Sequence, residues 1–123
     1  MKWWHKKRLQ KLADFLKTLH HKKFNFAYII NDCGTVGCAW GWTPVVFPKH
    51  LKWYNNSVVF KDNKLNTNFW FHEEAAYFFG ITAEEALGLF SPNLQHKINL
   101  PNCDFNATPK QVAKNIQTFL SRS

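Results

Sequence analysis

Apolar and polar positions first fall into a helical pattern. Leu9, Leu12, Leu16 and Leu19 recur at three- and four-residue spacing between about Lys2 and His21, and Phe15 widens the stripe. That is the period of an amphipathic helix. A short apolar run, Phe24 to Asn31, leads into Asp32-Cys33-Gly34-Thr35-Val36-Gly37-Cys38-Ala39-Trp40-Gly41-Trp42. Asp32 suits an N-cap there, and Gly37 and Gly41 would share one face of the helix that follows. The expected helix covers Gly34 to Trp42, lies buried at the centre of the molecule and is ended by Pro44. His50 to Tyr54 reads as a turn of helix, and Asn55-Asn56 as a turn. Ser57 to Lys61 reads as a strand, with Lys64 to Trp70 returning as its hairpin partner. Glu73 to Phe79 is a short helix with acids in its first turn and Gly80 at its stop. Thr82 and Glu85 form a capping box for a helix that ends at Ser91-Pro92. Residues 93–106 read as loop. Thr108-Pro109 opens a last helix striped by Val112, Ile116, Phe119 and Leu120. The pattern predicts a single domain over 1–123, mainly α (α+β), with about five helices around the Gly-rich one and one small β-hairpin.

Composition supports a folded domain. The 123 residues are 46% hydrophobic and 17% aromatic, with twelve Phe and six Trp. No apolar run approaches the roughly 20 residues of a membrane span, and the first residues lack the apolar stretch of a secretory signal. An intracellular protein without a membrane partner is expected. Charge changes the picture more. Of the net +8, residues 1–23 hold seven Lys and Arg8 against Asp14 alone, while residues 72–90 hold Glu73, Glu74, Glu84 and Glu85 with no Lys or Arg. Such polarity suits an anionic partner, or attraction between the two segments themselves. Three cysteines in an intracellular chain suggest thiols.

Four sets of residues could carry chemistry. The start of the Gly-rich helix could seat an anion on Cys33, Gly34 and Thr35, with Trp40 and Trp42 stacking a base or sugar; the alternative is a buried helix start whose Gly and Cys serve close packing. Cys33 could be a nucleophile, with His72 or His96 as base and Asp104 orienting it; a buried cysteine acting as a small apolar residue is the alternative. Lys2, Lys6, Lys7, Arg8 and Lys11 could lie against phosphates, with Trp3 and Trp4 stacking on bases, or they could be a solvated helix face. Trp53, Tyr54, Phe60, Phe69, Trp70 and Phe71 form either an exposed patch, with Trp53 and Trp70 as partner contacts, or core filling. His20-His21 point apart on a helix, and His72-Glu73-Glu74 lacks a second His four residues on. No metal and no cofactor are expected.

Several segments together resemble a known group. They are Phe24-Asn25-Phe26, Cys33 to Trp42, Ala75-Ala76-Tyr77-Phe78-Phe79-Gly80-Ile81, Glu85-Ala86, Leu89-Phe90-Ser91-Pro92 and Thr108-Pro109-Lys110-Gln111-Val112-Ala113 with Ile116 and Phe119. Nearly the whole chain is similar to small, mostly uncharacterised proteins of bacteria and their phages that bear a Cys-Gly-Thr-x-x-Cys-x-x-Gly-Trp signature. The resemblance implies a compact accessory protein borne by a mobile element, in the cytoplasm of a bacterial or phage-infected cell. It brings no reaction, cofactor or catalytic residue. The function expected is non-enzymatic binding of a host protein or an anionic ligand (a nucleotide or nucleic-acid phosphate), in a role such as antagonising host defence. The alternatives are a cysteine-dependent hydrolase or transferase centred on Cys33, and a nucleic-acid-binding regulator.

Overall fold

The computed structural model describes residues 1–25, 37–65 and 71–122. Among them are five α-helices and one antiparallel hairpin, so the protein is mainly α with a small β element. The first helix, α1 (Trp3–Thr18), buries Leu9, Leu12, Ala13 and Leu16 and lies chiefly along α5 (Pro109–Ser121). The α5 helix returns Val112, Ala113, Ile116 and Phe119 to the same core. Its start is fixed as its residues dictate. The Thr108 hydroxyl accepts from the Gln111 N–H, the Gln111 carboxamide accepts from the Thr108 N–H, and Pro109 sits in the first turn.

Residues 37–42 do not form the central helix that Gly37, Ala39 and Gly41 suggested. Gly37 bridges to Phe24 instead: its N–H donates to the Lys23 carbonyl (3.1 Å) and its carbonyl accepts from the Asn25 N–H (3.0 Å). Residues 39–42 turn, and only a one-turn helix, α2 (Thr43–Val46), follows. The reason is energetic. Each glycine costs a helix about 1 kcal/mol relative to alanine, and a pairing partner was at hand for Gly37. Pro44 lies in the first turn of α2, where its missing N–H is harmless, rather than ending a helix before it. Asp32 and residues 33–36 lie outside the described residues.

The hairpin also differs from its expected pairing. Strand β2 (Ser57–Phe60) pairs with β1 (Leu51–Tyr54), in the register Leu51↔Phe60, Lys52↔Val59, Trp53↔Val58 and Tyr54↔Ser57. Asn55 and Asn56 both take positive φ, +48° and +62°. Two such residues make the turn whose twist suits a two-residue hairpin. The strand therefore joined the segment just before it, and the expected helical turn at 50–54 became strand. Lys64 and Leu65 lie in a short 3-10 turn (Asn63–Leu65), and residues 66–70, Phe69 and Trp70 among them, are outside the described set.

Helices α3 (Phe71–Phe79) and α4 (Ala83–Phe90) pack as a pair. Gly80 links them at φ +64°, and the Thr82–Glu85 capping box starts α4 as its sequence indicated. The expected loop after α4 contains one 3-10 turn, Gln95–Ile98. Aromatic rings fill much of the core: Phe78 lies 5.0 Å from Phe47 and 5.1 Å from Phe79, and Phe79 stacks on Phe90 at 5.6 Å. Among the described residues, no helix is long and apolar enough to cross a membrane.

Candidate anion-binding cleft

An open cleft of about 610 Å³ lies where α1, the foot of the hairpin and the end of α3 meet. Helix α1 contributes Trp4, His5 and Arg8, with Trp4 and Arg8 one turn apart on one face. The hairpin brings Lys49 and His50 up to Lys61 and Asp62. Its register places Leu51 opposite Phe60, and the Lys61 N–H donates to the His50 carbonyl at 2.9 Å, extending the ladder by one rung. The Asn55-Asn56 turn thus fixes which basic residues meet at the other end of the strands. Helix α3 adds Tyr77 and Phe78, and Gly80 follows.

Arg8 is the anchor of this site. Its Nη1 donates to the Phe78 carbonyl at 2.8 Å, and its guanidinium lies 4.2 Å from the Phe78 ring centroid. A C-terminal helix end carries partial negative charge, and Arg8 offsets it where α3 ends at the cleft. Burial lowers its pKa and Tyr77 raises it.

Both histidines report a positive surrounding. His5 is held below the ordinary value of 6.5 by burial first, then by Arg8, the amino terminus and Lys2. His50 is held below it by burial, then by Arg8 and Lys49. Among the described residues the charges that lower the two rings are cations, and Asp62 lines the same cleft. His5 Nδ1 is buried and has no hydrogen-bond partner among the described residues, so the neutral ring is the form that fits. Three permanent cations, Arg8, Lys49 and Lys61, thus line the cleft against the single carboxylate of Asp62. A cleft lined with one sign of charge concentrates ions of the other.

The sequence-derived candidates are distributed differently. Cys33, Gly34, Thr35 and Trp70 lie outside the described residues. Trp40 and Trp42 are 1% and 7% exposed, within the core rather than in the cleft, and Trp42 Nε1 donates to the Lys23 carbonyl. Trp53 lies edge-on to Trp42 and donates its Nε1 proton to the Gly41 carbonyl at 2.7 Å. Of the exposed-patch candidates, Phe60 is buried and Tyr54 exposed, while Phe71 packs against the core. The basic residues of α1 do not share one face. Arg8 enters the cleft, Lys11 lies over Phe47, Lys7 over Trp3 and Lys2 over Trp4, and Lys6 borders a separate groove with Glu85 and Arg122. His72 abuts Phe71 at the start of α3, and His96 is exposed in the 3-10 turn after α4. Cys38 and Cys103 are buried thiols; burial pushes Cys38 up to about 11 and, with Asp104 second, raises Cys103 as well. Among the described residues no group of three His, Cys, Asp or Glu is placed to hold a metal. His5, Lys49, His50, Lys61 and Tyr77 escaped the sequence reading as site residues. They share no motif, and only tertiary packing gathers them.

Fold and cleft together define a small, mainly helical protein with a basic, aromatic-walled depression among its described residues. Comparison with protein-family models, curated proteins and solved structures finds no match.

Proposed function

We propose that the protein is a non-enzymatic binder of a phosphate-bearing anion, seated in the cleft of Arg8, Lys49, His50 and Lys61. The observation that supports this most is the like-charged lining. Three cations line a cleft with one carboxylate among the described residues, and cations help to hold the two histidines beside them below their ordinary value. Such an arrangement costs folding free energy unless an anion relieves it. Aromatic walls from Trp4, Phe60 and Tyr77 suit a ligand with a flat apolar part, as a nucleotide has. The ligand set expected from the sequence, Cys33 to Thr35 with Trp40 and Trp42, gives way to this one in the proposal. A cysteine-dependent reaction gains no support from Cys38 or Cys103, whose burial holds them as thiols.

Inorganic pyrophosphate, titrated by calorimetry at low ionic strength, tests the reading. Lys49 and Lys61 are exposed, so Lys49→Glu/Lys61→Glu should keep the fold. Losing two charge-assisted contacts should weaken binding about a hundredfold. Equal affinity in the variant, or no binding by the native protein, would remove the cleft as the site.

A further inference from the structure

Next to the cleft, the first turn of α1 presents two tryptophans to solvent. Trp3 is 66% exposed and Trp4 39%. Their rings meet edge to face at 5.9 Å and 88°. Each carries a lysine over its ring: Lys7 Nζ lies 4.9 Å from the Trp3 centroid, and Lys2 Nζ 5.0 Å from that of Trp4. Trp4 also lines the cleft, so the aromatic pair continues its wall outward. Tyr77, 64% exposed, adds a further ring from α3. Nothing in the core requires these rings, since α1 is already held by Leu9, Leu12, Ala13 and Leu16.

We propose that the ligand is single-stranded nucleic acid, with one backbone phosphate in the cleft and the neighbouring bases stacked on Trp4 and Trp3. The proposal rests on the cleft being a phosphate site and adds the polymer. Alternating rings and cations are what an unpaired strand needs, because exposed bases stack on aromatics while lysines follow the phosphates. A duplex keeps its bases inside its own stack, and the exposed polar residues of α1, Lys7, Lys11, Asp14, Lys17 and Thr18, include no Arg, Asn or Gln with which to read base edges. A lipid surface is the poorer fit. An interfacial helix lays its apolar stripe into the bilayer, and the stripe of α1 is buried in the protein.

Histidine chemistry adds a signature. His5 faces Arg8, Lys2 and the amino terminus, in a cleft shared with Lys49, His50, Lys61, Asp62 and Tyr77. His50 faces Arg8 and Lys49. A phosphodiester keeps its single charge from pH 8 to 5, whereas both rings can take up a proton once an anion offsets the cations. Strand binding should therefore tighten as pH falls across that interval.

The test is fluorescence anisotropy with labelled oligothymidylate of about twelve nucleotides, within the site sizes of known single-strand binders. The strand should bind at least about tenfold more tightly than its duplex with oligoadenylate, with a log–log salt slope of about −2 for three neutralised phosphates, one in the cleft and one each beside Lys2 and Lys7. Trp3 is not among the residues that line the cleft, so Trp3→Ala should weaken the strand about fivefold or more, the worth of one stacked base, and leave pyrophosphate binding intact. Equal affinity for duplex and strand, no effect of Trp3→Ala, or binding to phosphatidylglycerol vesicles in place of the strand would each overturn the proposal. Pyrophosphate binding distinguishes the failures: if it persists while the strand does not bind, the polymer is wrong and the phosphate site stands.

Discussion

Gly80 shows how much one residue can settle. Its φ of +64° is a conformation that other L residues hold at a cost of about 1–2 kcal/mol, and a Cβ there would overlap the His5 ring. Gly80→Ala should lower stability by at least that strain and push His5 away from the cleft. Urea unfolding together with the His5 imidazole resonance checks both; a variant of native stability would contradict the backbone account. Glu74 makes a different prediction. Burial raises its carboxyl from 4.5 to about 7, so between those values the native protein holds a proton that the unfolded chain has lost. Stability from this group is present at low pH and declines as pH rises through that window. Glu74→Gln should therefore match the native protein at pH 4 and unfold at higher urea at pH 8. An equal difference at both pH values would refute the assignment. Caps and stops such as Thr82, Thr108 and Gly80 were legible in the sequence, because each works through its immediate neighbours. The surroundings of His5 and Glu74 were not, because they are made by residues far along the chain.

At the scale of elements, the hairpin carries the site. Asn55 and Asn56 set the register, and the register puts His50 beside Lys61. Replacing both by Ala removes the short polar side chains that let Asn hold positive φ, at a cost of up to about 1–2 kcal/mol each. Hydrogen-exchange protection of the Lys61 amide and pyrophosphate affinity should fall together, whereas Asn56→Gly should preserve both. Unchanged protection in the double variant would mean that the turn does not fix the pairing. The turn itself was legible, but its partner strand was not: the helical reading of 50–54 overlooked how strongly a two-residue Asn-Asn turn selects the segment before it. The Gly-rich stretch misled for a related reason. Glycine spacing resembles a helix face only while no other pairing is available, and Phe24 supplied one. Beyond α4, Gln95 replaces a regular element. Its buried carboxamide donates to the Gly88 and Ser91 carbonyls and accepts from the Cys103 N–H at 2.9 Å, while Gly88 leaves room for Ile98. Gln95→Leu should cost about 2 kcal/mol or more by leaving these groups unpaired. A cost below about 0.5 kcal/mol, as for an ordinary surface change, would show that they find other partners.

For the whole molecule, the leucine stripe and caps did forecast a mainly helical fold, whereas the basic residues of the first segment lie in different surroundings. The location of the site was hidden because it is assembled from three separate segments. Only Arg8 belongs both to the basic residues singled out in the sequence and to the cleft. We propose that the cleft binds an anion through Arg8, Lys49, His50 and Lys61, and the histidines lining it report on that binding. The most direct measurement is an NMR pH titration of the His5 and His50 imidazoles with and without inorganic pyrophosphate. Bound pyrophosphate should raise both pKa values from below 6.5. If His5 and His50 titrate identically with and without it, the cleft is not the anion site.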